Sequence, residues 1–472
     1  MSRDFSGLWC SPKFPEVKLP GVLAIEKERI ELILYGSNDF RGKPHGSDRV
    51  DTYSVLFGEC HGKKITLLDS HFSWYKPIAS QMHSFGVKPE IVLEGCHYET
   101  RNDIQLCRVS CNFSFLSAWM EDMSRGSVYS DLDKQLVGFD DRLAKRIEIN
   151  IDEDLTISIN QFLREDDAIQ NRRLSYQVHH QVQFQTKAKK NIDFFIAKAH
   201  EFRRLMELGL TETVYAQFHS AHADERGGDW IFIFHTLGKN ADSKNSDSFF
   251  APATMLFDYY RLGEKEFKNI IRQWYRTLSK FGIIYDFLLD THRWFRGTGE
   301  SLTSVMFNNR VLNMLQGLEA FHTIDHPEED ETKEEFKARF KEIISSLNTK
   351  DKDWLKRRTQ RATKNLEFRL HALLKQFGYM LDKCLISEAE KNEFVQKLVE
   401  LRNSLSHGRH TDPYLGVENE VLYLEVKILL TTCILHKLGL NPDVIKQLLN
   451  SSSKYGHELG FCAHKRAEAR GK

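Results

Sequence analysis

The chain lacks any run of about 18 apolar residues, the length a helix needs to cross a bilayer. Met1 to Phe5 open it without the apolar core of a signal peptide. Both absences lead to the expectation of a cytoplasmic protein with no membrane partner. There is no excess of one charge either, since 66 Lys and Arg offset 66 Asp and Glu in 472 residues. No global field draws such a chain to a polyanion, so any nucleic-acid contact must come from a local patch. Cysteine is sparse at eight, and no Cys-x-x-Cys pair occurs, which argues for reduced thiols rather than a disulfide framework. Cys60-His61, Cys96-His97, Cys107 and Cys111 are weighed as a zinc set. Buried thiols are the expected reading, and no metal is assigned. A Gly-x-Ser-x-Gly elbow, a Walker phosphate loop and a Rossmann fingerprint are all missing. Serine-hydrolase chemistry and ATP or NAD dependence are set aside, and no cofactor is expected.

What is present divides by periodicity. The first half holds short β-branched or aromatic runs separated by Gly, Pro, Asn and His: Tyr53 to Gly58, Lys64 to Leu68, Glu90 to Glu94, Cys107 to Phe115, Arg146 to Ile151, Leu155 to Ile159 and Tyr176 to Phe184. Asp193 to Leu208 reads as a helix, and Val214 to Phe218 and Trp230 to His235 as strands. From Gly263 the period turns helical, with Phe267, Ile270, Ile271, Trp274 and Leu278 recurring at three and four residues. Helices are expected over Val305 to His322, Phe336 to Leu347 and Leu366 to Leu385, with an acidic solvated stretch from His326 to Glu335. The fold class expected is α+β, a β-rich N-terminal region over 1–295 followed by an all-α domain over 296–472. The N-terminal region has room for two subdomains and turns helical from about residue 263.

One stretch carries chemistry. Ser387 and Glu390 have the spacing of a capping box, and Phe394, Leu398, Leu401 and Leu405 give the helix that follows a buried stripe. That helix runs out into Arg402-Asn403-Ser404-Leu405-Ser406-His407-Gly408. Arg402 stands one position beyond the stripe, at its edge. It offers a permanent cation with a planar donor fork suited to phosphate, Asn403 a polar neighbour, and His407 a proton carrier near neutral pH. Gly408 is a residue with which helices stop. This set suits phosphodiester cleavage without a metal, and RNA supplies its own 2′-hydroxyl nucleophile. Five residues place Arg402 and His407 about 140° apart on a continuous helix, so His407 must leave the spiral near Gly408. One Arg-His pair is sparse for a nuclease, so two copies meeting across a two-fold axis are expected. Requiring Asn or Asp after the Arg and three residues before the His leaves about 0.1 chance matches in a chain of this composition. Only Arg402 to His407 passes; Arg172 and Arg173, with His179, satisfy only a looser rule. The bland alternative is a solvated Arg beside a C-capping His.

The stretch from about Ser301 to Leu449 resembles the HEPN domain of the ApeA family of bacterial anti-phage proteins. Arg310 to His322 carries a Leu-Glu-Ala-Phe signature, Arg402 to His407 has the Arg-Asn-x-x-x-His form, and Glu420 to Leu438 is the helix expected after it. Gly7-Leu8-Trp9 and Gly21-Val22-Leu23 are similar to the family's N-terminal region. The resemblance implies a helical-bundle HEPN ribonuclease domain, a homodimer, abortive infection as the outcome and transfer RNA as substrate. It implies catalytic roles for Arg402 and His407, with Asn403 in support, and matches Glu319 to a recurrent acidic position. The sheet-rich half is then the region that restrains the nuclease and senses a phage-derived trigger. Lys352, Lys356, Arg357, Arg358, Arg361, Lys364 and Arg369 form a basic segment suited to phosphate contacts, its alternative being a solvated helix face. Arg409 is a further candidate RNA contact. The alternative from another class is a non-catalytic HEPN module for dimerisation or RNA sensing.

Overall fold

The computed structural model describes residues 3–26, 30–36, 40, 52–79, 82–120, 146–166, 175–223, 230–237, 252–293, 304–327, 333–348, 351–352, 355, 365–406 and 417–471. They form two compact units. The first holds Met1–Glu207, Val214–Phe250 and Asp258–Tyr260; the second holds Leu208–Thr213, Ala251–Phe257 and Arg261–Lys472.

Among the described residues the first unit is built on a 14-stranded sheet. Strands β1 (Arg3–Ser11), β2 (Phe14–Ile25) and β3 (Ile30–Gly36) make one antiparallel meander, and β4 (Thr52–Cys60), β5 (Lys63–Ala79) and β6 (Met82–Lys88) make a second. Pairing of β1 with β4 and of β3 with β6 joins the two into a closed six-stranded barrel. Closure leaves none of these strands with a free edge. The interior is apolar and includes Trp9, Leu23, Leu32, Leu56, Ile65 and Phe85, each with no solvent exposure. Trp9 lies opposite Gly58 across the β1–β4 seam. A Cβ on Gly58 would stand 2.3 Å from the indole Cζ3, so only glycine leaves room for the ring there. Gly58→Ala is expected to destabilise the barrel by about 1–3 kcal/mol through overpacking. A lower urea midpoint in Trp9 fluorescence would report it.

From β5 the sheet runs on through β7 (Ile91–Glu94), β13 (Trp230–Phe234), β12 (Ala216–His222), β8 (Gln105–Phe113), β11 (Ser175–Asn191) and β10 (Leu155–Asp166) to β9 (Arg146–Asn150), with β14 (Thr236–Leu237) paired to β12. Alternation gives one buried face, held by Val109, Cys111, Ile157, Ile159, Val182 and Phe184. Phe202 of α2 (Ile192–Leu210) packs on it, its ring meeting those of Phe113, Trp119 and Phe184. Trp119 belongs to the single turn α1 (Leu116–Trp119).

The strands expected in the first half are present, several of them longer than the apolar runs that announced them. Cys107 and Cys111 share the buried face of β8, and Cys60 lies in the barrel core. Burial pushes the Cys60 thiol up to about 11 and holds the Cys111 thiol well above its ordinary value, which favours the protonated form. Among the described residues no group of three His, Cys, Asp or Glu side chains could hold a metal ion. No helix among them is long and apolar enough to cross a membrane.

The second unit is helical: α3 (Tyr259–Arg293), α4 (Ser304–Asp325), α5 (Lys333–Ser345), α6 (Leu366–Phe377), α7 (Glu388–Ser406), α8 (Val417–Lys437), α9 (Pro442–Ser451) and α10 (Ser453–Arg470). Helix α4 packs against α6, α7 and α8, and α10 lies against α8. Val311, Met314, Leu315, Leu318 and Phe321 on α4, spaced by three and four, are buried, as are Leu370, Leu373, Leu398 and Leu430 on the helices that α4 packs against. A single helix over Leu366 to Leu385 does not form. It stops at Phe377, where Gly378 opens a 3-10 turn through Met380.

Candidate active site

Helix α7 positions the motif, and its start is fixed locally. The Ser387 hydroxyl accepts from the Glu390 N–H at 3.2 Å, while Glu390 Oε2 accepts from the Ser387 N–H at 3.2 Å and the Ile386 N–H at 2.7 Å. This is the capping box expected from the spacing. Phe394, Val395, Leu398 and Leu401 are buried and Leu405 is half-buried, so the stripe holds the helix by packing up to the motif.

Arg402 is half-buried and forms no ion pair or hydrogen bond with a described residue. Asn403 is exposed. Among the described residues, nothing neutralises the guanidinium. Glu319, on α4, is half-buried; its carbonyl accepts from the Thr323 hydroxyl and its carboxylate forms no ion pair among the described residues. Helix α4 packs against α7, but no ion pair joins Glu319 to Arg402. The description of α7 ends at Ser406. His407 and Arg409 lie outside the described residues, as do Lys356, Arg357, Arg358 and Arg361.

One member of the basic segment must be removed from it. Arg369 is 5% exposed and donates to the Thr323 hydroxyl of α4. Its position on the buried stripe of α6, beside Leu370 and Leu373, makes it a tie between helices, not a surface contact for phosphate.

The structure adds an ion-pair seam that the motif search missed. A groove of about 620 Å³ runs between α7, α8 and α10, lined by Glu390, Glu393, Lys397, Glu418, Arg466 and Arg470 among others. Lys397 bridges Glu393 at 2.8 Å and Glu418 at 2.5 Å. Arg466 grips Glu425 through two bonds of 2.9 and 2.6 Å. Arg470 donates to Glu390 Oε1 at 2.5 Å and to the Cys384 carbonyl at 2.7 Å. These cations are already neutralised, so the seam is a brace and no ready seat for phosphate. Lys397 and Arg402 are five residues apart, about 140° round the helix axis, so the brace and the Arg402 guanidinium occupy different sides of α7. Glu425 and Lys427, two charges inside the apolar run Val421 to Leu435, were the available signal. Lys427 is met by Glu458 at 2.5 Å and lies 4.8 Å from the Tyr455 ring centre.

Glu390 thus serves two partners. Burial alone would raise its pKa, but Arg470 and the Ile386 and Ser387 N–H groups outweigh it and hold the carboxyl below its ordinary value of 4.5. A depressed carboxyl contributes stability above its unfolded value and loses it as pH falls through the folded one. The Ser387 amide resonance is expected to titrate with a midpoint below 4.5, and Arg470→Ala to move that midpoint upward.

Residues 4–274 match the family model described as ApeA N-terminal domain 1, and residues 312–444 match the one described as Apea-like HEPN. No curated protein matches the chain, and no solved structure does. The HEPN match contains α6, the motif helix α7 and α8, together with most of α4. The N-terminal match alone covers more than half of the sequence, and with it the chain belongs to the ApeA family, with a HEPN domain toward its C-terminus.

Proposed function

We propose that the chain is a metal-independent endoribonuclease of bacterial anti-phage defence that cleaves host RNA, transfer RNA above all, and acts by abortive infection. On this reading residues 296–472 are the nuclease and 1–295 the sensing and regulatory region that answers a phage-derived trigger. The observation that carries the reading is Arg402: a half-buried guanidinium without an ion pair to a described residue, on the motif helix, inside the segment that matches a HEPN domain. HEPN domains are typically nucleases, and they commonly dimerise and bind RNA. In a homodimer two copies of Arg402, Asn403 and His407 flank one RNA linkage. One His407 takes the proton from the 2′-hydroxyl as it attacks phosphorus, and the other, or water, protonates the departing 5′-oxygen. Arg402 offsets the charge that builds on the phosphorane, and Asn403 adds a polar contact. The attacking group belongs to the substrate, so this route consumes no activated water.

The test is incubation of the purified full chain with transfer RNA, with and without phage lysate as trigger, in EDTA. Fragments ending in 2′,3′-cyclic phosphate and 5′-hydroxyl are expected, at a rate EDTA leaves unchanged. Intact RNA under every condition, or 3′-hydroxyl ends, would overturn the reading.

A further inference from the structure

The face of the first unit's sheet opposite α2 has a composition that sheet formation does not explain. Exposed faces of antiparallel sheets suit Thr and β-branched residues, and Asn is disfavoured in strands. Here β11 presents Gln181, Gln183 and Gln185, β10 presents Asn160, β8 presents Asn112 and β12 presents Gln217, none of them buried. The register, with the hydrogen bond between Gln181 and Asn112, sets Gln217, Asn112, Gln181, Asn160 and Arg146 in one row across five strands. Four inter-strand spacings make that row about 19 Å long. Gln181 donates to Asn112 at 3.4 Å. Asn160, Gln183, Gln185 and Gln217 make no side-chain hydrogen bond with a described residue, so no described side chain takes up their donors and acceptors.

Two further features share the face. Phe162 of β10 is 41% exposed and pairs with His179 of β11, the rings stacked at 5.9 Å with 21° between planes. Arg108 of β8, opposite Gln185, is half-buried and forms no ion pair among the described residues. Arg146 adds a second guanidinium, paired with Glu148 at 2.7 Å and donating to Ser158.

An open ring, a row of neutral amides and a guanidinium with no ion pair among the described residues offer contacts for base, sugar and phosphate along an extended strand, because Phe162 and Arg108 stand opposite His179 and Gln185, about 20 Å apart on β11. Unpaired bases stack on aromatic side chains, base edges and 2′-hydroxyls exchange hydrogen bonds with amides, and phosphate seeks arginine. A duplex hides its base faces, and a neutral sugar polymer offers Arg108 no opposite charge. We infer that the outer face of β12–β8–β11–β10–β9 is a binding platform for single-stranded RNA. The inference does not rest on the nuclease reading, although a platform of this kind gives a nuclease a means of choosing its RNA.

The test is fluorescence anisotropy of a labelled single-stranded RNA, about 12 nucleotides long to match the site sizes of such platforms, with the full chain carrying Arg402→Ala, a background chosen to prevent cleavage. Phe162→Ala is expected to weaken binding by about tenfold, as for loss of one base–aromatic stack, while Phe162→Tyr keeps the affinity and reports an intact fold. Arg108→Ala is expected to reduce the slope of log affinity against log salt by about one. RNA carrying 4-thiouridine is expected to crosslink within 155–166 or 175–191. Equal affinity of the parent, Phe162→Ala and Arg108→Ala proteins would overturn the inference and assign RNA binding to another surface. Preference for a duplex, or for maltohexaose over RNA, would overturn it as well. Loss of cleavage by Arg402→Ala with platform binding retained separates this result from the fate of the nuclease proposal.

Discussion

His407→Ala protein is expected to cleave RNA about 10²- to 10⁴-fold more slowly than the parent, the usual range for loss of general acid–base catalysis. The 2′-hydroxyl is a poor nucleophile until its proton is withdrawn, and no other residue of the motif can accept it near neutral pH. Arg402→Ala is expected to lower the rate by about 10²- to 10³-fold, the range for loss of one stabilising donor. Arg402 forms no ion pair or hydrogen bond with a described residue, so removing it strands no buried carboxylate among them and the helical unit should keep its fold. Arg402→Lys retains charge but not the planar fork, and an intermediate rate is expected. Mixing the slowed Arg402→Ala and His407→Ala proteins should restore part of the activity if protomers share one site. Parental rates in the His407→Ala protein would remove this residue from the mechanism.

Arg466→Ala is expected to cost the helical unit about 3–5 kcal/mol, because Glu425 is left buried without its guanidinium. Glu425 has no exposure, and the Arg466 side chain keeps 14%. The asymmetry matters. Burial raises the Glu425 pKa more than its bonds to Arg466 lower it. The Arg466 pKa, which burial alone would lower, is raised by the same partner. The carboxylate bears most of the desolvation, so the pair fixes geometry more than it adds net stability. Folding of Glu425 is favoured with its proton on; this contribution is complete below the ordinary carboxyl value and fades as pH rises through the folded one. The double substitution Glu425→Leu with Arg466→Met, which removes both charges and keeps apolar bulk, is therefore expected to recover most of the loss. Urea dependence of amide exchange in α8 and α10 would measure both. A cost below about 1 kcal/mol for the single change would show that the pair is solvated and slack.

Much of this could be read before folding was known. Alternation in Cys107 to Phe115 and Tyr176 to Phe184 announced β8 and β11, because Cys107, Val109, Cys111 and Phe113, like Val182 and Phe184, recur at every second position on the buried face. Ser387 and Glu390 announced the start of α7, since capping depends on a three-residue interval. Arg402 was legible as a cation at the edge of a buried stripe. Barrel closure was not, because it depends on β1 meeting β4 and β3 meeting β6, pairings with no local sequence mark. Arg369 was misassigned because composition counts charges without showing which side of α6 they occupy. The Arg466–Glu425 pair joins residues 41 apart, and the amide row draws one residue from each of its strands. Distance along the chain hid both.

The two meanders of the barrel also bear on how quickly the molecule reaches its native form. Hairpins within β1–β3 and β4–β6 join neighbouring segments and close short loops, whereas the seams need segments dozens of residues apart to find one another. Loop-closure entropy places the slow event at those seams. The contact of Trp9 with Gly58 lies at one of them, so the indole becomes a natural clock for docking of two pre-formed halves. Its fluorescence should lag the appearance of strand signal in a refolding trace.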